Sequence, residues 1–212
     1  LITKLNWAKN CNEERAAPWQ IMLACVDSFY CVYIHLALWL VMFFHDMPHA
    51  KCSPYIFGFL SDCCFPQGGK ASKNVLRPLI RAVIKGMELL QGLKGTHSVR
   101  KYGSTRARRS GETKDNRDIR GRWKGHRRTG VIYNNIELPW PDTKVANMLC
   151  IGGACKYEIK PESGIDGEFI LNYLMKDVAE VYDDQVCVIL GTALLWYMFT
   201  PEGKEHVPNF IL

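Results

Sequence analysis

The chain has no apolar run long enough to cross a bilayer. Its longest, Phe29 to Phe44 (FYCVYIHLALWLVMFF), holds 16 residues, with His35 inside it and Asp27 and His45-Asp46 at its ends. A spanning helix needs roughly 20. The run therefore predicts a buried helix from about Asp27 to Phe44, closed by Pro48, and no membrane partner. No charged-then-apolar leader stands before it, so nothing points to secretion. Internal repeats and low-complexity segments are also missing. Metal-ligand spacing is absent too: Cys150 and Cys155 are separated by Ile-Gly-Gly-Ala, and no second pair at comparable spacing follows. No metal site is expected. The nine cysteines sit in a 212-residue chain rich in apolar side chains, which has no need of a disulfide scaffold. Reduced thiols are the expectation.

Acidic residues are scarce in one place. Between Lys94 and Arg128 there are 13 Lys/Arg against 3 acids, which leaves 14 basic and 18 acidic residues in the rest of the chain. The formal net charge of +6 is thus a local feature on a mildly acidic protein. Such a block points to a polyanion, with nucleic acid first among them. A solvated basic loop is the alternative.

Hydrophobic patterning predicts a mainly α chain with a small amino-terminal β-hairpin (α+β). Leu1 to Leu23 reads as two strands around the polar turn Asn10 to Glu14. A turn-rich stretch with Pro54, Gly58, Pro66 and Gly68-Gly69 follows the apolar helix, and Ser72 to Leu90 is again helical. Thr96 suits the start of a helix running to about Ser110, with Gly111 as its stop. On it His97, Arg100, Ser104 and Arg108 recur at three and four, while Val99, Gly103 and Ala107 form a packing side. Arg108 and Arg109 also suit the negative end of the helix dipole. Thr113 to Arg128 is too polar for a core element until Trp123. A short helix around Val131 to Ile136 exits through the rigid turn Leu138-Pro-Trp-Pro-Asp142. Further on, Ile170, Leu174, Val178 and Val181 form an apolar stripe, and Val186 to Phe199 is apolar nearly throughout.

An HxxR pair is a weak signal alone, but its order with later residues is more specific. His97-x-x-Arg100, then Trp123 in Arg120-Gly-Arg-Trp-Lys-Gly125, then Tyr133 ten residues on, resembles the active-site half of the tyrosine recombinases (phage integrase family). The wider block, GTHSVRKYGSTRARRSG, RGRWKG, Tyr133 and LPWPDTKVA, looks most like eukaryotic Crypton-like mobile-element recombinases. The resemblance follows the order of elements from about Leu1 to Lys144 and is specific from Gly95 to Ala146.

The resemblance implies a tyrosine recombinase catalytic domain over 1–148, lacking its amino-terminal part, and a helical carboxy-terminal extension over 149–212. The implied reaction is DNA strand cleavage and rejoining through a covalent 3′-phosphotyrosine, with no cofactor and no small-molecule substrate. Tyr133 would be the nucleophile, which a cationic pocket must activate because a phenol is mostly protonated at neutral pH. Arg100 would clamp a non-bridging oxygen, and His97 would exchange protons there. Trp123 would donate its indole N–H to the phosphate, with His126 as the alternative. Lys9, or else Lys4, would be the general acid on the hairpin. Lys101, Arg106, Arg122 and Lys124 would contact the DNA backbone without reading sequence.

One departure stands out. The family uses two arginines, the first upstream of the lysine hairpin, yet here no arginine precedes Arg15, which follows Lys9. A chain lacking its amino-terminal part, binding DNA but cleaving poorly, is the expectation, since losing one transition-state donor costs about 10²–10³ in rate. The expected partners are double-stranded DNA and further copies of the chain assembled on it. The expected location is intracellular, and nuclear if the source is eukaryotic. Two other readings share the basic block: a type IB topoisomerase-like enzyme, and a non-catalytic DNA-binding protein derived from a mobile element.

Overall fold

The computed structural model describes residues 1–4, 19–46, 96–121 and 142–211. In chain order the strands are β1 (Ile2–Lys4), β2 (Trp19–Ile21), β3 (Ala24–Cys25) and β4 (Ala154–Cys155). The helices are α1 (Val32–Asp46), α2 (Thr96–Arg109), α3 (Lys114–Gly121), α4 (Asp142–Leu149), α5 (Gly167–Phe169), α6 (Lys176–Ala179), α7 (Asp184–Met198) and α8 (Pro201–His206), with a π turn over Ile170–Leu174 between α5 and α6. The described chain is mainly helical with a small two-stranded sheet at its amino terminus, in agreement with the coarse reading of the sequence. The helices expected over Ser72–Leu90 and around Val131–Ile136 lie outside the described residues. No described helix is long and apolar enough to cross a membrane.

Contacts divide the chain into two compact units, Leu1–Asp27 with Arg77–Ala154, and Ser28–Leu76 with Cys155–Leu212. In the first, β1 and β2 pair antiparallel with Ile2 opposite Ile21 and Lys4 opposite Trp19. The Met22 amide donates to the Leu1 carbonyl at 2.9 Å, and the Leu1 ammonium donates to the Met22 carbonyl at 3.0 Å, which extends the ladder by one step. Helix α4 packs against α2, α3 and β2, and its Val145 and Ala146 join Ile21, Ala24, Cys25 and Ala107 in the buried core. Past α4 the chain turns at Gly152, where φ is 76° and an added Cβ would stand 3.1 Å from Val26 Cβ. Only glycine meets both demands without strain. The turn lets the Val26 and Asp27 amides donate to the carbonyls of Gly153 and Ile151.

In the second unit α1 and α7 lie together, and both are apolar over most of their circumference. Tyr33, Ile34, Ala37, Leu40 and Phe44 of the first are buried, as are Cys187, Leu190, Ala193, Leu194 and Tyr197 of the second. This is the pattern of helices enclosed in a core rather than amphipathic on a surface. His35 escapes burial at the edge of the run, its Nε2 lying 2.7 Å from the Phe29 carbonyl. Asp183 caps α7 by accepting from the Gln185 and Val186 amides at 2.9 and 3.3 Å. Thr200 caps α8 by accepting from the Gly203 amide at 3.0 Å, with Pro201 at its first position.

The stripe expected at Ile170, Leu174, Val178 and Val181 is corrected by the π turn. The Met175 amide donates to the Ile170 carbonyl five residues back, at 2.8 Å. Ile170, Met175 and Val178 are therefore the buried positions, Leu174 is half-buried and Val181 is exposed. A cleft of about 390 Å³ in this unit is lined by Val41, Phe169, Leu174, Met198 and by the stacked His45 and Phe210, whose ring centroids are 3.9 Å apart. Tyr157 engages Cys31 and Cys155, and burial first, then the bond to Cys31, pushes its phenol well above the ordinary range.

Candidate nucleic-acid interface

The basic block is organised by α2, whose end is set by its sequence. Gly111 has φ 88°. Its amide donates to the Arg108 carbonyl at 3.1 Å, and the Glu112 amide reaches back to the Ala107 carbonyl at 3.0 Å. These two bonds are the paired closure that a left-handed glycine provides. Ala107 is 1% exposed, and a Cβ on Gly103 would meet Leu149 Cδ2 at 3.9 Å, so the packing side expected at Gly103 and Ala107 is the one that faces α4.

Opposite that side stand the exposed cations Lys101, Arg108 and Arg109. Lys101 and Arg108 are seven apart, two turns along one face of the helix. His97 and Arg100 occupy the first turn of the same helix, three residues apart. At about 100° per residue, His97, Arg100, Ser104 and Arg108 fall within about 80° of arc on this helix, the shared face that their spacing predicts.

Arg106 behaves differently from the solvated contact that the sequence suggested. It is half-buried, its Nη2 donates to the Cys150 carbonyl at 3.5 Å, and its Nε is buried without a hydrogen-bond partner. The guanidinium sits where the carboxy-terminal end of α4 presents its carbonyls, a favourable place for a cation. The remaining sequence-derived site residues, Lys9, Arg122, Trp123, Lys124 and Tyr133, lie outside the described residues, as does His126.

The polar stretch after Gly111 does form an element. Thr113 starts α3 by accepting from the Asn116 amide at 3.2 Å. Glu112, 4% exposed, accepts from the Thr113 amide at 2.9 Å and from Asn116 Nδ2 at 2.7 Å, with Lys144 Nζ 3.8 Å away. Arg117 donates to Ser104 Oγ at 3.3 Å, tying α3 to α2. The end of α3 carries the most enclosed charge pair among the described residues of the unit. Arg120 Nη1 donates to Asp142 Oδ2 at 2.5 Å and to the Ile21 carbonyl at 2.6 Å, and the Ile21 amide donates to the same Oδ2 at 2.5 Å. Asp142 is 3% exposed, and its Oδ1 has no hydrogen-bond partner.

Sequence reasoning missed Glu112 and Asp142. Asp142 had a readable signal, an Asp directly after Pro141, which is a common helix start. Glu112 had none, and Arg120 is indistinguishable in sequence from its solvated neighbours. No protein-family model, no curated protein and no solved structure matches the chain.

Proposed function

We propose that the chain cleaves and rejoins DNA strands through a covalent 3′-phosphotyrosine on Tyr133, as a tyrosine recombinase does, within a catalytic domain of that fold. The observation that carries the reading is the order His97-x-x-Arg100, Trp123, Tyr133, the first three residues inside a block of 13 cations and Tyr133 just beyond it. Support comes from α2, which buries Ala107 and leaves Lys101, Arg108 and Arg109 on its open side. Those exposed cations are suited to phosphate oxygens on a duplex. The amino-terminal strands pair antiparallel, and in sequence Lys9 falls between them; the reaction needs a general acid for the leaving 5′ oxygen, the role that the resemblance gives Lys9.

A second reading, a DNA-binding protein without cleavage chemistry, is favoured by one observation. Arg106 and Arg120 are both engaged inside their own unit, so the block serves the fold as well as an outside ligand. A suicide duplex that traps the covalent adduct separates the two. Adduct formed by the native chain and abolished by Tyr133→Phe supports strand transfer. Salt-sensitive binding with no adduct supports the binding protein, and an adduct that survives Tyr133→Phe rules out the nucleophile assignment.

A further inference from the structure

Helix α2 sorts its side chains into two groups. Arg106 is turned to the Cys150 carbonyl, and Ser104 Oγ accepts from Arg117 Nη1 at 3.3 Å, while Gly103 and Ala107 face α4. Lys101, Tyr102, Arg108 and Arg109 are exposed, and among the described residues none of these four side chains makes a hydrogen bond, an ion pair or a ring contact. At about 100° per residue they fall within about 120° of arc, centred opposite Gly103 and Ala107. The helix carries five cations and no acid. Glu112, the next acid along the chain, is 4% exposed and accepts from the Thr113 amide and from Asn116. The open face is therefore one ring among three unpaired cations.

Neither packing nor helix electrostatics accounts for this face. Arg108 and Arg109 stand in the last turn, where the dipole favours cations, but Lys101 and Tyr102 stand in the second turn, outside its reach. Tyr102 is 56% exposed. An exposed tyrosine alone is ordinary, but its company here is not. Lys101 and Arg108 are two turns, about 10 Å, apart along the axis, and the ring stands between them in height. Cations track the backbone of a single strand, and an aromatic ring stacks on a base whose face is uncovered. A duplex offers the same phosphates but only base edges in its grooves, because each base face is covered by its neighbours.

We infer that the open face of α2 holds single-stranded DNA, with Lys101, Arg108 and Arg109 on its phosphates and one base stacked on Tyr102. This rests on the DNA-binding half of the proposed function and is independent of the cleavage step. The ring adds a preference for an unpaired stretch that cations alone do not supply, since phosphate contacts read no base.

The test uses the 212-residue chain and four probes of one length: a thymidine oligonucleotide, the same backbone with every site abasic, the matching uridine strand, and a duplex. The abasic strand keeps the phosphates and lacks the bases. Affinity is read across a salt series for the native chain and for Tyr102→Ala, Tyr102→Phe and Lys101→Ala. A base stacked on an aromatic ring contributes about 5- to 150-fold in affinity, so the native chain should prefer the thymidine strand to the abasic one by at least about 5-fold. Tyr102→Ala should erase that preference while leaving abasic and duplex affinity within about two-fold and the salt slope unchanged. Tyr102→Phe should keep the preference, because the ring and not the hydroxyl stacks. Lys101→Ala should keep it too, with the salt slope on single strands lowered by about 0.7. Equal native affinity for the thymidine and abasic strands would overturn the inference, as would equal weakening of every probe by Tyr102→Ala. Loss in Tyr102→Phe as large as in Tyr102→Ala would make the hydroxyl a phosphate donor and overturn it, and tighter binding of the uridine strand would move the partner to RNA and do the same. In each of these cases salt-dependent binding of the duplex leaves the DNA-binding reading standing. Absence of salt-dependent binding to every probe removes that reading, and the single-strand face with it.

Discussion

Replacing Gly191 by alanine tests the packing of the second unit at its tightest point. On a solvated helix this change is stabilising by about 1 kcal/mol. Gly191 lies on the buried side of α7, and a Cβ built there runs into Ile170 Cγ2 and stands 2.9 Å from Met175 Cγ. Both neighbours are fully buried, so neither can swing into solvent to make room. Overpacking a closed core costs about 1–3 kcal/mol. With two enclosed side chains in the way the upper end applies, and after the propensity gain the net loss should be about 2 kcal/mol. Urea denaturation followed by circular dichroism would register this as a lower midpoint at unchanged slope. Gly167→Ala is the internal control, because its Cβ would meet Val188 at an ordinary 3.5 Å. If Gly191→Ala matches or exceeds the native midpoint, the close approach of α7 to the π turn is refuted.

Three further outcomes are expected. Arg120→Ala leaves Asp142 as an enclosed anion without its cation and should destabilise the chain by about 3 kcal/mol, measured by the same denaturation; a loss under about 1 kcal/mol would place the pair in solvent. Burial, aided by the Asp184 and Asp183 carboxylates, pushes the Cys187 thiol from 9.0 up to about 11. The unfolded thiol ionises first, so this contribution to stability is complete below pH 9.0, declines as pH rises toward about 11 and disappears from the pH profile in Cys187→Ala; thermal melts across that range check it. For DNA, alanine at Lys101, Arg108 or Arg109 should each lower the dependence of log affinity on log salt by about 0.9, whereas Arg106→Ala should leave that slope alone. Equal slopes for all four would remove the distinction between exposed and inward cations.

The fold was legible wherever local chemistry decides the backbone. Apolar runs bounded by polar residues gave α1 and α7, Gly111 gave the end of α2, and the apolar stretches at the amino terminus gave the small two-stranded sheet. What escaped depended on long-range partners. The polar segment after Gly111 becomes helical because Thr113 caps it and Glu112 is enclosed beside Lys144, neither of which its composition reveals. The stripe around Ile170 assumed 3.6 residues per turn throughout, and one wider turn moved burial from Leu174 to Met175. The candidate site was legible as a set of residue types in order. Which cations face outward was not, since Arg106, Arg108 and Arg120 look alike until α4 and β2 supply the carbonyls and the carboxylate that draw two of them inward.

The turn at Ile170–Leu174 also bears on chain length. A π turn is one residue longer than the α turn it replaces, and here it ends at Met175, whose φ of −113° and ψ of 18° leave the helix before α6 begins. Tyr173, 74% exposed, lies inside it. Deleting Tyr173 would turn the bond between Met175 and Ile170 from five residues to four and leave both on the face they now share. Deleting one residue in the middle of α7 would instead rotate everything beyond it by about 100°. The π turn is thus expected to bear the loss of one codon better than the middle of α7 does.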